Sequence, residues 1–416
     1  MHDILFLAHR VPYPPDKGEK IRAWNILRYL ASRHRVHLGM FIDVPEDVRH
    51  VDKLKSICAS VFWQPLSPRL ATLRSLRGLL TGKSLTQAYF GDAKFRSNVD
   101  EIIARHKPDV FYVFSSAMAP YVAHHRSAAR IIVDMVDVDS EKWRQYAQMM
   151  RWPARSIYKR EGRSLLALER QAAEGSDAVI FVTRAEATLF SRLAPEANGH
   201  THSLSNGVDV DYFDPSLDYA NPLGDRPAIV FTGVMDYRPN VDAMTWFVGH
   251  VMPLLRDQPN PPQFWIVGAN PNRAVRSLAG TDVRVTGRVA DVRPYLSHAK
   301  VVVAPLRIAR GVQNKVLEAM AMGKAVVVTP QIRQTLDYCG GDEVLTAGSA
   351  EEFAEAVQSV LLNGATQIGQ LARKRVARHY HWQSSFALID ELIEPRASGS
   401  GNADSTALAT ALSDVG

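Results

Sequence analysis

The passage Arg310-Gly-Val-Gln-Asn-Lys-Val-Leu-Glu-Ala-Met-Ala-Met-Gly-Lys-Ala-Val-Val-Val-Thr329 compresses a whole α/β unit into one run. A glycine-bearing loop leads into apolar residues at helical spacing, Gly323 stops the helix, and residues 325–328 read as a buried strand. A helix that begins near 311–314 aims free backbone N–H groups outward and makes an anion site suited to a diphosphate. Lys315 falls in the first turn, where the helix dipole disfavours a cation unless an anion lies beside it. Glu318 follows about one turn later, on the face that Asn314 and Lys315 share. A carboxylate accepts two hydroxyl hydrogen bonds at once, which fits the vicinal diol of a ribose. An i,i+3 ion pair between Lys315 and Glu318 fits the same spacing.

Outward from this passage the same theme repeats. Residues 228–232, 264–267, 283–286 and 301–304 read as further buried strands, with helical patterns between them. The first half offers strands at 4–8, 35–41, 107–114, 129–136 and 178–182. Continuous apolar strands alternating with helices imply parallel sheets covered on both faces. Pro215, Pro222, Gly224 and Pro227 punctuate residues 212–227 as the junction. The expected organisation is α/β, with two doubly wound Rossmann-like domains, 1–214 and 215–378. Trp382, Phe386, Ile389 and Ile393 lie at helical spacing, so 379–394 is expected to return as a helix to the first domain. Residues 395–416, without an aromatic, are expected to be a disordered tail. The natural ligand site of such sheets is the crevice beyond the carboxyl ends of their strands.

A chain of 416 residues, 46% hydrophobic and 22% charged, has the balance of a globular protein with more than one core. Two cysteines far apart in sequence, Cys58 and Cys339, argue against a disulfide framework and for a reducing, cytoplasmic setting. The opening residues lack a signal-peptide pattern, and no run of about 18 apolar residues suggests a membrane span. The His pairs at 124–125 and 200–202 lack metal-ligand spacing, and no Walker loop, Gly-x-Gly-x-x-Gly or Gly-x-Ser-x-Gly motif occurs. Charge is uneven: residues 142–170 hold eight basic residues against two acids, Glu161 and Glu169. Arg69, Arg74, Arg77 and Lys83 form a second basic stretch without an acid. Trp143, Met149, Met150, Trp152 and Tyr158 interleave with the first stretch, as an interfacial helix pair or as domain packing would require. Such a face suits an anionic lipid headgroup or a phosphorylated acceptor, and no nucleic-acid-binding fold accompanies it.

Four segments in order resemble glycosyltransferase family 4, the group 1 retaining transferases of GT-B fold. Glu318-Ala-Met-Ala-Met-Gly-Lys-Ala-Val326 is similar to the second half of that family's donor motif, with Ala325 where proline is usual. Ser205-Asn-Gly-Val-Asp-Val-Asp-Tyr-Phe-Asp-Pro215 resembles its hinge signature. Val285-Thr-Gly-Arg-Val-Ala-Asp-Val-Arg-Pro-Tyr295 resembles the strand and turn that hold the nucleobase, and Pro15-Asp-Lys-Gly-Glu-Lys20 stands at the place of the first glycine loop. The wording around 8–22, 135–147, 231–247 and 309–323 is similar to sugar transferases of bacterial exopolysaccharide and PEP-CTERM/exosortase loci. The resemblance spans residues 1–393.

It implies two domains facing across a cleft and transfer of a sugar, with retention, from a nucleoside-diphosphate donor to a glycan or polyprenyl-linked hydroxyl. No cofactor or metal is implied; the nucleotide sugar enters as substrate. By this resemblance Gly18, Gly233, Arg288, Val289, Arg310, Gly311, Asn314, Val316 and Glu318 bind donor. Arg238 and Lys315 neutralise the leaving diphosphate, and Asp137 stands where the family often places a His beside the sugar. Asn240 reads as a helix N-cap. One departure is sharp: Arg310 replaces the first Glu of the paired motif and cannot accept hydrogen bonds. It either supports an anion on the donor or closes the loop with a salt bridge. A GT-B epimerase or hydrolase acting on a nucleotide sugar, and a non-catalytic partner subunit, are the alternatives. Peripheral contact with the inner face of the cytoplasmic membrane is compatible with all three.

Overall fold

The computed structural model describes residues 1–15, 18–257, 260–308 and 311–394. The first sheet comprises β1 (Asp3–Ala8), β2 (Arg35–Ile42), β3 (Ser60–Pro65), β4 (Val110–Phe114), β5 (Arg130–Val136), β6 (Ala178–Phe181) and β7 (Thr201–Ser203). They lie in the order β3-β2-β1-β4-β5-β6-β7, every pair parallel. The second sheet comprises β8 (Ala228–Thr232), β9 (Gln263–Val267), β10 (Val283–Gly287), β11 (Val301–Ala304), β12 (Val326–Val328) and β13 (Leu345–Thr346), in the order β10-β9-β8-β11-β12-β13, again all parallel. The strand order reverses beside β1 and β4 in one sheet and beside β8 and β11 in the other, which locates the two ligand crevices.

The central strands are those whose apolar runs are unbroken: β4, β6, β8 and β11 are buried at every residue. The reading of two doubly wound parallel α/β domains therefore holds. Three strands escaped the periodicity. β3 is an edge strand with no fully buried residue, so its side chains need no continuous apolar run. β7 and β13, of three and two residues, are too short to carry a pattern. The helix Trp382–Ile393 packs on the first sheet's core through Trp382, Phe386 and Ile389. There Phe386 stacks on Tyr29 at 3.9 Å between ring centroids, and the Tyr29 hydroxyl donates to Asp390 at 2.6 Å. The expected disordered tail, 395–416, lies outside the described residues. Among the described residues no helix is long and apolar enough to cross a membrane.

One buried polar relay ties the halves together. Arg22, with no exposed surface, donates from Nε to both oxygens of Asp134 at 2.9 and 3.1 Å. Its Nη1 donates to the Leu204 carbonyl at 2.7 Å and to Asn206 Oδ1 at 3.1 Å. Asn206 Nδ2 then donates at 3.0 Å to Oδ1 of Asn314, the first residue of the helix Asn314–Ala321. Leaving either charge of the Arg22–Asp134 pair alone in the core would cost about 3–5 kcal/mol. The relay therefore fixes where the second domain's key helix stands relative to the first sheet.

Candidate active site

On the second-domain side the chain leaves β8 at Gly233, whose N–H is held by the Val267 carbonyl at 3.0 Å. Two glycines make this turn. A Cβ on Gly268 would lie 1.7 Å from the Gly233 carbonyl oxygen, and one on Gly233 would lie 2.8 Å from Asn240 Nδ2 and 3.0 Å from Lys315 Nζ. Only bare backbone fits between β8 and β9 here. Beyond it begins the helix Arg238–Trp246, and beyond β11 begins Asn314–Ala321. Neither N-terminus carries a side-chain cap, so both turn positive dipole ends toward the switch point of the sheet, although Pro239 has no N–H and the Asn240 N–H is taken by the Tyr237 carbonyl at 2.9 Å.

Lys315 is the cation between them. Its Nζ donates to Asn240 Oδ1 at 2.7 Å and sits 4.2 Å above the Phe231 ring. Among the described residues it has no ion-pair partner. Burial pushes the Lys315 pKa down to about 7, only partly opposed by Glu318. Burial likewise pushes the Glu318 carboxyl up to about 7, with Lys315 opposing. The two groups sense each other, but the i,i+3 ion pair that their spacing allowed is not formed. Asn240 is not the N-cap expected of it: the helix starts two residues earlier, at Arg238. Its amide is instead a bracket, donating to the Val234 carbonyl at 2.7 Å while accepting from Lys315.

The facing wall comes from the first sheet. β5 ends in a tight turn at Val136, φ +67°, closed by the Asp137 N–H donating to the Met135 carbonyl at 2.8 Å. This left-handed turn is strained for a β-branched residue. It projects Asp137 across the cleft to Gly311: a Cβ on Gly311, φ +63°, would lie 2.6 Å from Asp137 Oδ1 and 2.8 Å from Val182 Cγ1. β4 also ends at a left-handed residue, Ser115, φ +84°. Arg238 is exposed on the opposite lip, its guanidinium 5.6 Å from the centre of the Tyr146 ring on the helix Asp139–Met149. Lys142 on that helix lies 3.9 Å from Asp139. Burial lowers its pKa, but Asp139, Tyr237 and Asp137 more than offset this and hold it above the usual lysine range.

The structure thus gathers Gly233, Lys315, Glu318, Asn314, Gly311 and Asp137 along one cleft, with Arg238 at its rim. It does not gather all the expected residues. Val316 has no exposed surface and its N–H is taken by the Gln313 carbonyl, so its side chain is core. Gly18 opens the helix Gly18–Arg33 with nothing within 4 Å of where a Cβ would stand, so no close approach of backbone explains a glycine there. Arg288 is exposed and Val289 half-buried on the turn after β10. Arg310 lies outside the described residues. Sequence reasoning missed Gly268, which a lone glycine directly after a strand signals. It also missed Asn206 as the link to Asn314, although Asn206 stands in the hinge segment. Among the described residues no cluster of three His, Cys, Asp or Glu is placed to hold a metal ion.

Residues 226–363 match the family described as Glycosyl transferases group 1. That match spans most of the second domain. No curated protein matches the chain. Among solved structures, sucrose-phosphate synthase from Thermosynechococcus elongatus aligns with a TM-score of 0.70 at 18% identity, over 94% of this chain and 98% of that one. HepE of Anabaena, solved in complex with UDP and glucose, aligns with a TM-score of 0.67 at 15% identity, over 94% and 99%. The α,α-trehalose 6-phosphate synthase of Burkholderia multivorans aligns with a TM-score of 0.64 at 11% identity, over 99% and 100%. The likeness spans both sheets of this chain, and its fold is GT-B.

Proposed function

We propose that this chain is a group 1 glycosyltransferase that moves a sugar from a nucleoside-diphosphate donor to a hydroxyl of a glycan or polyprenyl-linked acceptor, with retention, in bacterial exopolysaccharide synthesis. One observation carries the donor side: Lys315, without an ion-pair partner among the described residues, stands between two uncapped helix N-termini. A group so placed attracts a diphosphate more strongly than it would in water, because the surrounding protein has already stripped its hydration. Glu318, one turn along, has no side-chain hydrogen-bond or ion-pair partner among the described residues, and its carboxylate accepts the two ribose hydroxyls. Departure of the diphosphate builds negative charge where Lys315 and the N–H groups already point, and such fixed charges supply the largest part of catalysis. Arg238 at the rim adds a second positive charge. Attack by the acceptor from the face that the diphosphate leaves lets the leaving oxygen take the acceptor's proton and retains configuration. Asp137, on the facing wall, orients the sugar.

The subgroup resemblance supports the exopolysaccharide role and a position at the inner face of the cytoplasmic membrane. A thermal-shift panel of UDP-, GDP-, ADP- and TDP-sugars tests the donor reading. The true donor at about 100 times its Kd adds about 2.7 kcal/mol of stability. No stabilisation by any of them would remove the donor site and favour a non-catalytic partner. Acceptor-independent release of free sugar would favour a hydrolase or epimerase.

A further inference from the structure

The helix Pro68–Thr81 is packed inside out. Its inward positions are small, Ala71, Ser75 and Gly78, at i, i+4 and i+7. Four leucines point away from the core: Leu70, Leu73, Leu76 and Leu79 are 63%, 62%, 51% and 36% exposed. A helix on a protein surface ordinarily buries its leucines and exposes its small and polar residues. Four leucines in one outward stripe form a contiguous apolar surface that needs an occupant.

The surroundings say what kind. Residues 68–84 contain no acid, and Arg69 and Lys83 are exposed at either end of the stripe. The helix is tied to the neighbouring helix Ala154–Glu174, where Arg160 Nη2 donates to the Gly78 carbonyl at 2.6 Å and to the Lys83 carbonyl at 3.2 Å. That neighbour continues the pattern. Trp152, just before it, is 83% exposed, Met149 52% and Ile157 41%. The two acids of its basic stretch do not reach solvent. Glu161, 0% exposed, accepts the backbone N–H groups of Leu85 and Thr86, and Glu169, 1% exposed, accepts from Ser140. Trp143 and Tyr158 pack on each other at 4.9 Å, so they belong to the interior of the hairpin. The exposed side chains named here are apolar or cationic, with no acid among them. A cavity of about 220 Å³, lined among others by Arg74, Lys83 and Arg96, opens beneath the leucine helix.

We propose that Pro68–Thr81 is a membrane-interface helix that lays its leucines among the acyl chains of an anionic lipid surface while Arg69, Lys83 and the adjoining hairpin meet the headgroups. Charge selects this occupant over a second copy of the chain, because a second copy brings the same cationic field and is repelled, whereas an anionic bilayer attracts it. An exposed tryptophan beside basic residues is the usual chemistry of that boundary. The proposal rests on the membrane-side reading given above and assigns it to a surface; donor binding is read separately.

The test uses the full chain in co-sedimentation with vesicles of phosphatidylglycerol and phosphatidylcholine, against phosphatidylcholine alone. The chain binds the anionic vesicles, and about 0.5 M salt weakens binding without abolishing it, because the leucine contribution is not screened. Leu73→Ser with Leu76→Ser lowers binding roughly tenfold or more, and Trp152→Ser lowers it less. The nucleoside-diphosphate thermal shift is unchanged in these variants, which shows that they fold and keep the donor cleft. The proposal is overturned if the wild type ignores anionic vesicles or if the leucine variants bind them undiminished. It is also overturned if the wild type is a dimer by light scattering that the leucine variants make monomeric. Loss of the nucleotide shift alone, with vesicle binding intact in the wild type, would count against the donor site and leave this surface standing.

Discussion

The two walls of the cleft are built by opposite means. The second-domain wall makes room by deleting side chains: Gly233, Gly268 and Gly311 are bare where a Cβ would strike a carbonyl, a lysine or an aspartate. The first-domain wall aims side chains by straining backbone, with Ser115 directly after β4 and Val136 at the end of β5 both at positive φ. The first device suits a ligand that must come close to backbone N–H groups, as a diphosphate does. The second suits a polar side chain that must be held in one direction, as Asp137 is. The difference teaches that the walls have separate tasks, and each task can be removed without the other.

The largest effect is expected at Lys315. Lys315→Met removes the cation from the leaving group and lowers kcat/KM by about 10²–10³, or about 3–4 kcal/mol of transition-state stabilisation. It also removes most of the thermal shift produced by the best-binding nucleoside diphosphate alone. Asp137→Asn, on the other wall, keeps that shift and loses turnover. If Asp137→Asn abolished nucleotide binding while Lys315→Met did not, the assignment of walls would be reversed.

Gly268→Ala comes next. Its Cβ would fall 1.7 Å from the Gly233 oxygen at φ +150°, and both the clash and the conformation are backbone problems that no side chain can absorb. The variant is expected to lose about 2–3 kcal/mol in urea unfolding and to weaken nucleotide binding, since Gly233 and Lys315 shift with it. Gly18→Ala, with open space around it, is expected to change stability by no more than about 0.5 kcal/mol.

This contrast also explains what the sequence could disclose. Glycine before a helix, a lysine in its first turn and a carboxylate a turn later leave marks in the chain, so Gly311, Lys315 and Glu318 were legible together with the α/β sheets. Gly18 and Val316 sit in the same motifs, but neighbourhood in sequence does not say whether a residue faces the cleft; packing decides that. Nothing in the residues around Val136 announces a left-handed turn, because valine is the residue least suited to one. Arg22 reads as one more surface cation on a helix until Asp134, 112 residues away, is placed against it. The leucine stripe at 70–79 was equally silent: the stretch reads as basic, and sequence spacing alone does not say which face of a helix is turned inward. Asn240 shows the limit from the other side, since its type suits a cap but the structure uses it to bracket Lys315.

The pH dependence of nucleotide affinity separates two residues of the donor wall. With Lys315 lowered to about 7, the free site loses its cation as pH rises. A bound diphosphate favours the protonated amine, so affinity falls above about pH 7, by up to about tenfold per unit. With Glu318 raised to about 7, the free carboxyl is neutral at low pH, and ribose hydroxyls bind the ionised form. Affinity therefore falls below pH 7 too, and isothermal titration should give a maximum near neutrality. Because the groups are coupled, the limbs belong to the pair. Lys315→Met flattens the alkaline limb and Glu318→Gln the acid one. An unchanged maximum in both variants would place the titrating groups elsewhere.

The smallest effect is the one most specific to the first wall. At an ordinary strand end, replacing valine by glycine is worse than replacing it by alanine, by about 0.5–1 kcal/mol of backbone entropy. Val136 reverses the expectation. Alanine would lose the packing of this half-buried side chain and keep the strain of φ +67°. Glycine would lose the same packing but relieve strain of about 1–3 kcal/mol. Val136→Gly should therefore be more stable than Val136→Ala by about 1 kcal/mol in urea midpoints, while losing more activity, because the freed turn no longer holds Asp137 against Gly311. Equal activity with relieved strain would mean that the turn is a packing accident. The paired result, stability up and turnover down, would mean that the strain is what aims the wall.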